Sequence, residues 1–234
     1  MKQPMPISVI LLWVATVGTA SVLAAAYIRR FDRTDLAVGL YVVYLALAQI
    51  LATKFILFNF GFFTVVAPAA VLIFPFTFQL IDIVNETYGR AQTQRMILIA
   101  FISQIFMVAF ILLGTLAPPA SFWKGKEAWH QVLTLIPRIT GASWVAFLIS
   151  QTFDNLIFSG LKKLTHGRHL WLRNIASDVP ALALDSFIFI FLAFSGIAPV
   201  WPLIVGQVVT KCIIGAADFP FMYLSRWIIS RPQK

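Results

Sequence analysis

Residues 74–90 read FPFTFQLIDIVNETYGR. An apolar run arrives at Phe74-Pro75-Phe76 and then sets Gln79, Asp82, Asn85 and Glu86 at helical spacing before the break at Gly89-Arg90. Ionised side chains stand where lipid-compatible sequence should still be running. An Asp at the centre of a membrane helix costs about 2.5–3.5 kcal/mol even on lenient insertion scales, so such residues face a polar interior and have a use.

The rest of the chain agrees with a membrane setting. Of its 234 residues 60% are hydrophobic and only 12% charged, and the mean hydropathy is +0.87, more apolar sequence than a soluble core can absorb. The single cysteine, Cys212, excludes an intramolecular disulfide and a cysteine-based metal site. With roughly 20 apolar residues needed per crossing, the chain divides into seven spans at about 7–28, 36–54, 62–84, 91–114, 138–160, 177–198 and 202–229. The first could be a cleaved signal peptide, but its length and the Arg29-Arg30 pair behind it favour a retained helix. The fold class is therefore an all-α, polytopic membrane protein in one domain, residues 1–234.

The formal charge of +9 is an orientation signal in this setting rather than a sign of nucleic acid. With the N-terminus outside and the C-terminus cytoplasmic, most of the 18 basic residues, from Arg29 and Arg30 to Arg231 and Lys234, fall on the cytoplasmic side. Lys2, Lys54, Lys124, Lys126 and Arg138 fall outside, and Lys211 lies within the membrane. At about 1.5 Å per residue, Asp154, Asp185 and Asp218 lie roughly 9, 12 and 16 Å from the cytoplasmic ends of their spans, at similar depth. Three carboxylates in one band, on three helices, point to a shared cavity more than to three separate structural pairs. Lys211 and Asp218, seven residues apart on one helix face, supply the bland alternative of a structural ion pair. Pro68 and Pro75 interrupt the third span, Pro180 enters the sixth and Pro220 the seventh, as in broken helices that line binding sites.

The sequence contains no phosphate-binding glycine loop, no HExxH helix and no Cys/His cluster, so no cofactor and no metal is expected, and no motif calls for an enzyme. His130, His166 and His169 fall in loops, where solvated side chains are the simpler reading. Asp82 and Glu86 could hold a cation or move protons, while Glu86 and Arg90 could simply pair at i, i+4.

The 74–90 stretch, followed by Arg95, resembles the signature of the queuosine-precursor transporter family, a group within the vitamin uptake transporters, in which an FP-x-T segment leads into a DxxxE-x-YG ending. Residues 143–158, SWVAFLISQTFDNLIF, are similar to that family's Gln-x-x-Asp helix. Trp171-Leu172-Arg173-Asn174 with Ser177 and Asp185 is similar to its next span, and Gln207, Lys211, Pro220 and Tyr223 fit its last helix. The likeness covers roughly residues 40–228 in matching order, with the 7–28 helix as an N-terminal addition to a six-span core. The chain departs from the family at Leu182, where an amide is usual, and at Asp178-Val179-Pro180, which bears on the exact ligand.

The resemblance implies an importer of 7-deazaguanine bases, such as preQ0, preQ1 or queuine, for salvage into tRNA modification at a bacterial inner membrane. It makes a small molecule and the lipid bilayer the partners, excludes nucleic acid and is compatible with a homo-oligomer. A carboxylate can accept the two adjacent N–H groups of such a base in a fork. Asp154 and Asp185 are the implied grips for the base, with Gln151, Asn155, Gln79, Asp82 and Gln207 as further polar contacts. Phe74, Phe76, Phe153 and Phe187 are candidates for stacking, Asp82 and Glu86 for gating, and Lys211 for charge balance with Asp218. Two other classes stay open, a substrate-capturing subunit of an ATP-driven importer and a membrane-embedded enzyme.

Overall fold

The computed structural model describes residues 6–164 and 170–230 of the chain. The side chains of residues 75, 86, 154, 155, 158–164, 170–178, 217–219 and 222 lie outside the described set. In chain order the elements are α1 (Ile7–Phe31), α2 (Asp35–Leu51), strands β1 (Phe55–Asn59) and β2 (Thr64–Pro68), a 3-10 turn (Ala69–Leu72), and α3 (Phe74–Tyr88). There follow α4 (Arg90–Leu116), α5 (Lys126–Leu133), α6 (Ile136–Leu164), α7 (Leu170–Phe194) and α8 (Val200–Ser230). By length and composition, Ile7–Phe31, Arg90–Leu116 and the stretch Lys126–Phe153 are long and apolar enough to cross a membrane. Asp35–Leu51, Val179–Phe194 and Val200–Ala216 are shorter apolar helical stretches. The outward faces carry bulky apolar side chains, among them Leu11, Phe106, Phe110 and Trp201, as expected where lipid is the solvent.

The third apolar segment differs from the continuous 62–84 span that composition predicts. Its first part forms β2, paired antiparallel with β1 from Phe55 opposite Pro68 to Asn59 opposite Thr64. The cause is local. Asn59 accepts the Gly61 N–H on its side-chain oxygen at 3.0 Å, and Gly61 takes φ 91°, a turn geometry that glycine adopts without strain. Pro68 holds the chain extended at φ −58°, ψ 141°, and Pro75 sits in the first turn of α3, where its missing N–H is harmless. Backbone groups that a helix would have paired internally are paired across the hairpin instead. Pro180 and Pro220, by contrast, lie inside α7 and α8 without ending them.

The hairpin is packed across the start of α8. At one end Phe55 meets Phe194 of α7 edge-on, at 5.2 Å between ring centres. At the other, Phe58, Ala67, Val71 and Ile214 form a buried cluster that Trp13 of α1 joins. Between them the strand backbone lies directly on α8: a Cβ built at Gly206 would stand 1.9 Å from the Val66 carbonyl oxygen. Glycine is the residue that permits this contact.

Two larger clusters pack the two ends of the bundle. Ala52, Ile139, Ala142, Ala146, Ile190, Ala193, Phe194 and Leu203 join the end of α2 to the start of α6, the end of α7 and the start of α8. Ala24, Ile28, Ala37, Leu80, Val84, Met96 and Ala100 do the same for the end of α1, the start of α2, the end of α3 and the start of α4. Alanines at these crossings let backbones approach closely, which is how membrane helices gain contact when lipid is as apolar as their side chains. The α1 helix is tied in by specific bonds: Trp13 Nε1 donates to the Leu72 carbonyl at 2.8 Å, and the Ser21 hydroxyl donates to Gln79 Oε1 at 2.7 Å.

Candidate functional site

Between the two clusters lies a cavity of about 90 Å³, traced by the centre of a water-sized sphere. One water needs about 10–15 Å³ on that measure, so the space takes several waters or one small planar molecule. Six helices and the 3-10 turn border it. Tyr41, Leu45, Ala48 and Gln49 come from α2; Phe74, Thr77, Phe78 and Ile81 from α3; Phe101 and Gln104 from α4. Ser143, Trp144 and Phe147 come from α6, Asp185 and Phe189 from α7, and Gln207 and Lys211 from α8. Tyr41 also belongs to one end cluster and Phe189 to the other, so the cavity sits between packed layers.

Its electrostatic centre is an ion pair. Lys211 Nζ donates to Asp185 Oδ2 at 2.6 Å, with side-chain exposures of 3% and 16%. The same ammonium lies 3.5 Å from the centre of the Phe74 ring, whose negative face adds a further favourable contact. A carboxylate on one side and a ring face on the other compensate a cation that would be costly alone at this depth. Gln207 lies one turn before Lys211 on the same face of α8; it is buried, and among the described residues its Oε1 has no hydrogen-bond partner. Gln104, also buried, accepts the indole N–H of Trp144, and the Trp144 ring stacks on Phe101 with centres 5.2 Å apart.

The residues singled out from the sequence are distributed unevenly around this cavity. Asp185, Gln207, Phe74 and Lys211 border it together. Gln79 is buried behind it, held by Ser21, and Phe76 packs in the core against Trp13 and Tyr44 with ring centres at 6.4 and 5.9 Å. Asp82 and Gln151 are exposed and do not border the cavity; Phe153 and Phe187 are exposed as well, and Phe187 stacks on Phe191. Lys211, expected to balance Asp218 on its own helix, takes its carboxylate from α7, because Asp185 faces it across the α7–α8 contact. The side chains of Asp154, Asn155, Glu86 and Asp218 lie outside the described residues, and so do His166 and His169.

Several cavity residues were not among the sequence candidates: Tyr41, Gln49, Thr77, Phe101, Gln104, Ser143 and Trp144. Two carried a signal. Gln49 and Gln104 are polar side chains inside apolar spans, as costly to bury unpaired as Gln79 or Gln207. Trp144 carried a weaker one, an indole well inside a span rather than at its interface.

A bundle of apolar helices around a cavity with an ion pair, several amides and an aromatic lining is the architecture of a multi-pass membrane protein with an internal polar cavity. The chain belongs to the vitamin uptake transporter family: the family profile, described as "Putative vitamin uptake transporter", matches residues 68–225. The protein named "Probable queuosine precursor transporter" of Bacillus subtilis is 30% identical over 158 residues, which cover 65% of this chain and 69% of that relative. The "Queuosine precursor transporter" of Escherichia coli is 27% identical over 121 residues, covering 52% of each chain. No solved structure matches the chain. The family match begins at Pro68, so α1, α2 and β1 precede it, yet α2 supplies one wall of the cavity.

Proposed function

We propose that this chain imports queuosine precursors, 7-deazaguanine bases, across the inner membrane of a bacterium. The observation that carries this reading is the Asp185–Lys211 pair, set in a cavity with amide and aromatic walls, in a chain of the vitamin uptake transporter family whose relatives carry that transport function in their names.

The chemistry of the walls suits such a ligand. A flat, polar heterocycle is held by stacking on rings such as Phe74, Phe101, Trp144 and Phe189, while its N–H groups are accepted by the Asp185 carboxylate. Lys211 keeps that carboxylate balanced when no ligand is bound; a ligand bearing N–H donors or a cationic aminomethyl group shares or replaces it. The N-terminus lies outside and the C-terminus in the cytoplasm, with the basic loops facing inward. Asp154, Asn155, Glu86 and Asp218 belong to the polar path toward the cytoplasmic side, as their places in the sequence suggest. The protein moves its ligand without changing it.

The test is uptake of a labelled 7-deazaguanine base into proteoliposomes holding the purified full-length protein and no other component. Wild-type protein should accumulate label above protein-free vesicles, and Asp185→Ala should remove at least nine-tenths of that uptake, on the order of the 1.4 kcal/mol that a tenfold change represents. Binding without uptake would favour a capture subunit that needs a separate ATP-driven partner. Intact uptake by Asp154→Ala and Asp185→Ala proteins that insert normally would overturn the roles proposed for these two carboxylates, and a ligand chemically altered after incubation would point to an enzyme.

A further inference from the structure

We propose that Gln104, oriented by Trp144, is the donor that reads a carbonyl of the ligand, and that Gln207 is the neutral acceptor that reads a ring N–H. The cavity then selects a lactam-type heterocycle over its amino counterpart. This rests on the reading above and names the feature of the ligand that the site discriminates.

The argument begins with Trp144. An indole N–H is a donor only, so the end of Gln104 that it meets is the carbonyl oxygen. That settles which way the amide points, because the two ends of a side-chain amide differ only in the partners they can take. With Oε1 committed to Trp144, the NH2 group is the end of Gln104 left for the cavity that this residue borders. The indole is itself held, stacked on Phe101 at 25° between planes, and Phe101 in turn meets Phe147 at 6.3 Å. A donor so placed is matched by a carbonyl and mismatched by an exocyclic amine, which would face it with another N–H.

Gln207 supplies the complementary group. The Gln207 side chain is 3% exposed and lines the cavity, and among the described residues no hydrogen bond holds its carbonyl oxygen, so the amide can turn that oxygen to a ligand N–H. Asp185, shared with Lys211, is the charged acceptor of this wall, and Gln207 is an uncharged one beside it. A lactam offers a carbonyl acceptor and an N–H donor, which match an amide NH2 group and an amide oxygen in turn. Gln79, Gln151, Asn155 and Gln207 were the amides expected from the sequence as polar contacts; the carbonyl donor proposed here is Gln104 instead.

Sites that hydrogen-bond a polar group reject the analogue lacking it far better than apolar pockets reject a size change. The experiment is competition in proteoliposomes, in which 7-deazaguanine and its 6-amino counterpart 2,6-diamino-7-deazapurine inhibit uptake of a labelled 7-deazaguanine base. Wild type should prefer the oxo compound by roughly tenfold or more, the worth of one or two buried hydrogen bonds. Gln104→Leu should bring the ratio of inhibition constants near one, and Gln104→Glu, almost the same shape but an acceptor, should turn it toward the amino compound. Trp144→Phe keeps an aromatic ring beside Phe101 but removes the N–H together with part of the ring system; it should narrow the preference a few-fold while uptake continues. Because the readout is a ratio, a variant present in smaller amount still reports. An unchanged ratio in Gln104→Leu, or an equal loss for both compounds, overturns the inference while leaving the functional reading standing. Wild-type protein that takes up no 7-deazaguanine base overturns that reading and this inference with it.

Discussion

Helix α4 and the segment from Phe55 to Tyr88 both wall the cavity, and they do it in opposite ways. The first is one unbroken helix of 27 residues, with Phe106, Phe110, Leu113 and Leu116 exposed outward and Phe101 and Gln104 alone bordering the cavity. The second is a hairpin, a 3-10 turn and a helix of 15 residues, and it brings four α3 side chains to the cavity together with two from the turn. A continuous helix satisfies its own backbone and needs little from its neighbours. A broken segment at membrane depth must have its backbone groups paired and covered by protein, so its neighbours are shaped to receive it.

If that contrast is correct, the most damaging change lies on the receiving helix. Gly206→Val should prevent the hairpin from seating, since even the first added carbon would overlap the Val66 carbonyl, and backbone cannot swing aside as a side-chain tip can. A loss of about 3 kcal/mol or more is expected, seen as aggregation in detergent, and Gly206→Ala should already lower the melting temperature. An Ala variant as stable as wild type would mean that strand and helix are not in contact.

The next effect concerns the ion pair beside Phe74. Asp185→Asn strands a buried ammonium and should cost about 3–5 kcal/mol, whereas adding Lys211→Met should recover most of that stability without restoring uptake. A double variant no more stable than the single one would show that Lys211 is balanced elsewhere. At the small end stands the outer face of α4. Phe110 is 70% exposed, and Phe110→Ala should change stability by no more than about 0.5 kcal/mol and leave uptake intact. A large loss there would reveal that α4 packs against protein rather than lipid.

Much of the site was legible because charge in an apolar span is conspicuous. Asp185 and Lys211 stand out on cost alone, and Gln207 and Phe74 came with the motifs around them. The partner of Lys211 did not, because helical spacing reports neighbours on one helix and is silent about the facing one. For the same reason Asp82, Gln151 and Phe76 could be identified as unusual or motif-bearing without any sign that they point away from the cavity. The hairpin was hidden because β2, Thr64–Pro68, is as apolar as a membrane helix, and hydropathy cannot tell a buried strand from a helical turn. The role of Gly206 was equally hidden; a glycine in a helix becomes informative only once a backbone is known to cross it.

The sequence by itself determined that this chain belongs in a membrane, where most of its helices run and which side chains are too costly to face lipid, because those follow from the free energy of transfer residue by residue. Tertiary structure alone decided which costly groups meet. Asp185 reaches Lys211, Trp144 orients Gln104, and the Val66 carbonyl lies on Gly206 through contacts between helices and strands that hydropathy and spacing do not encode.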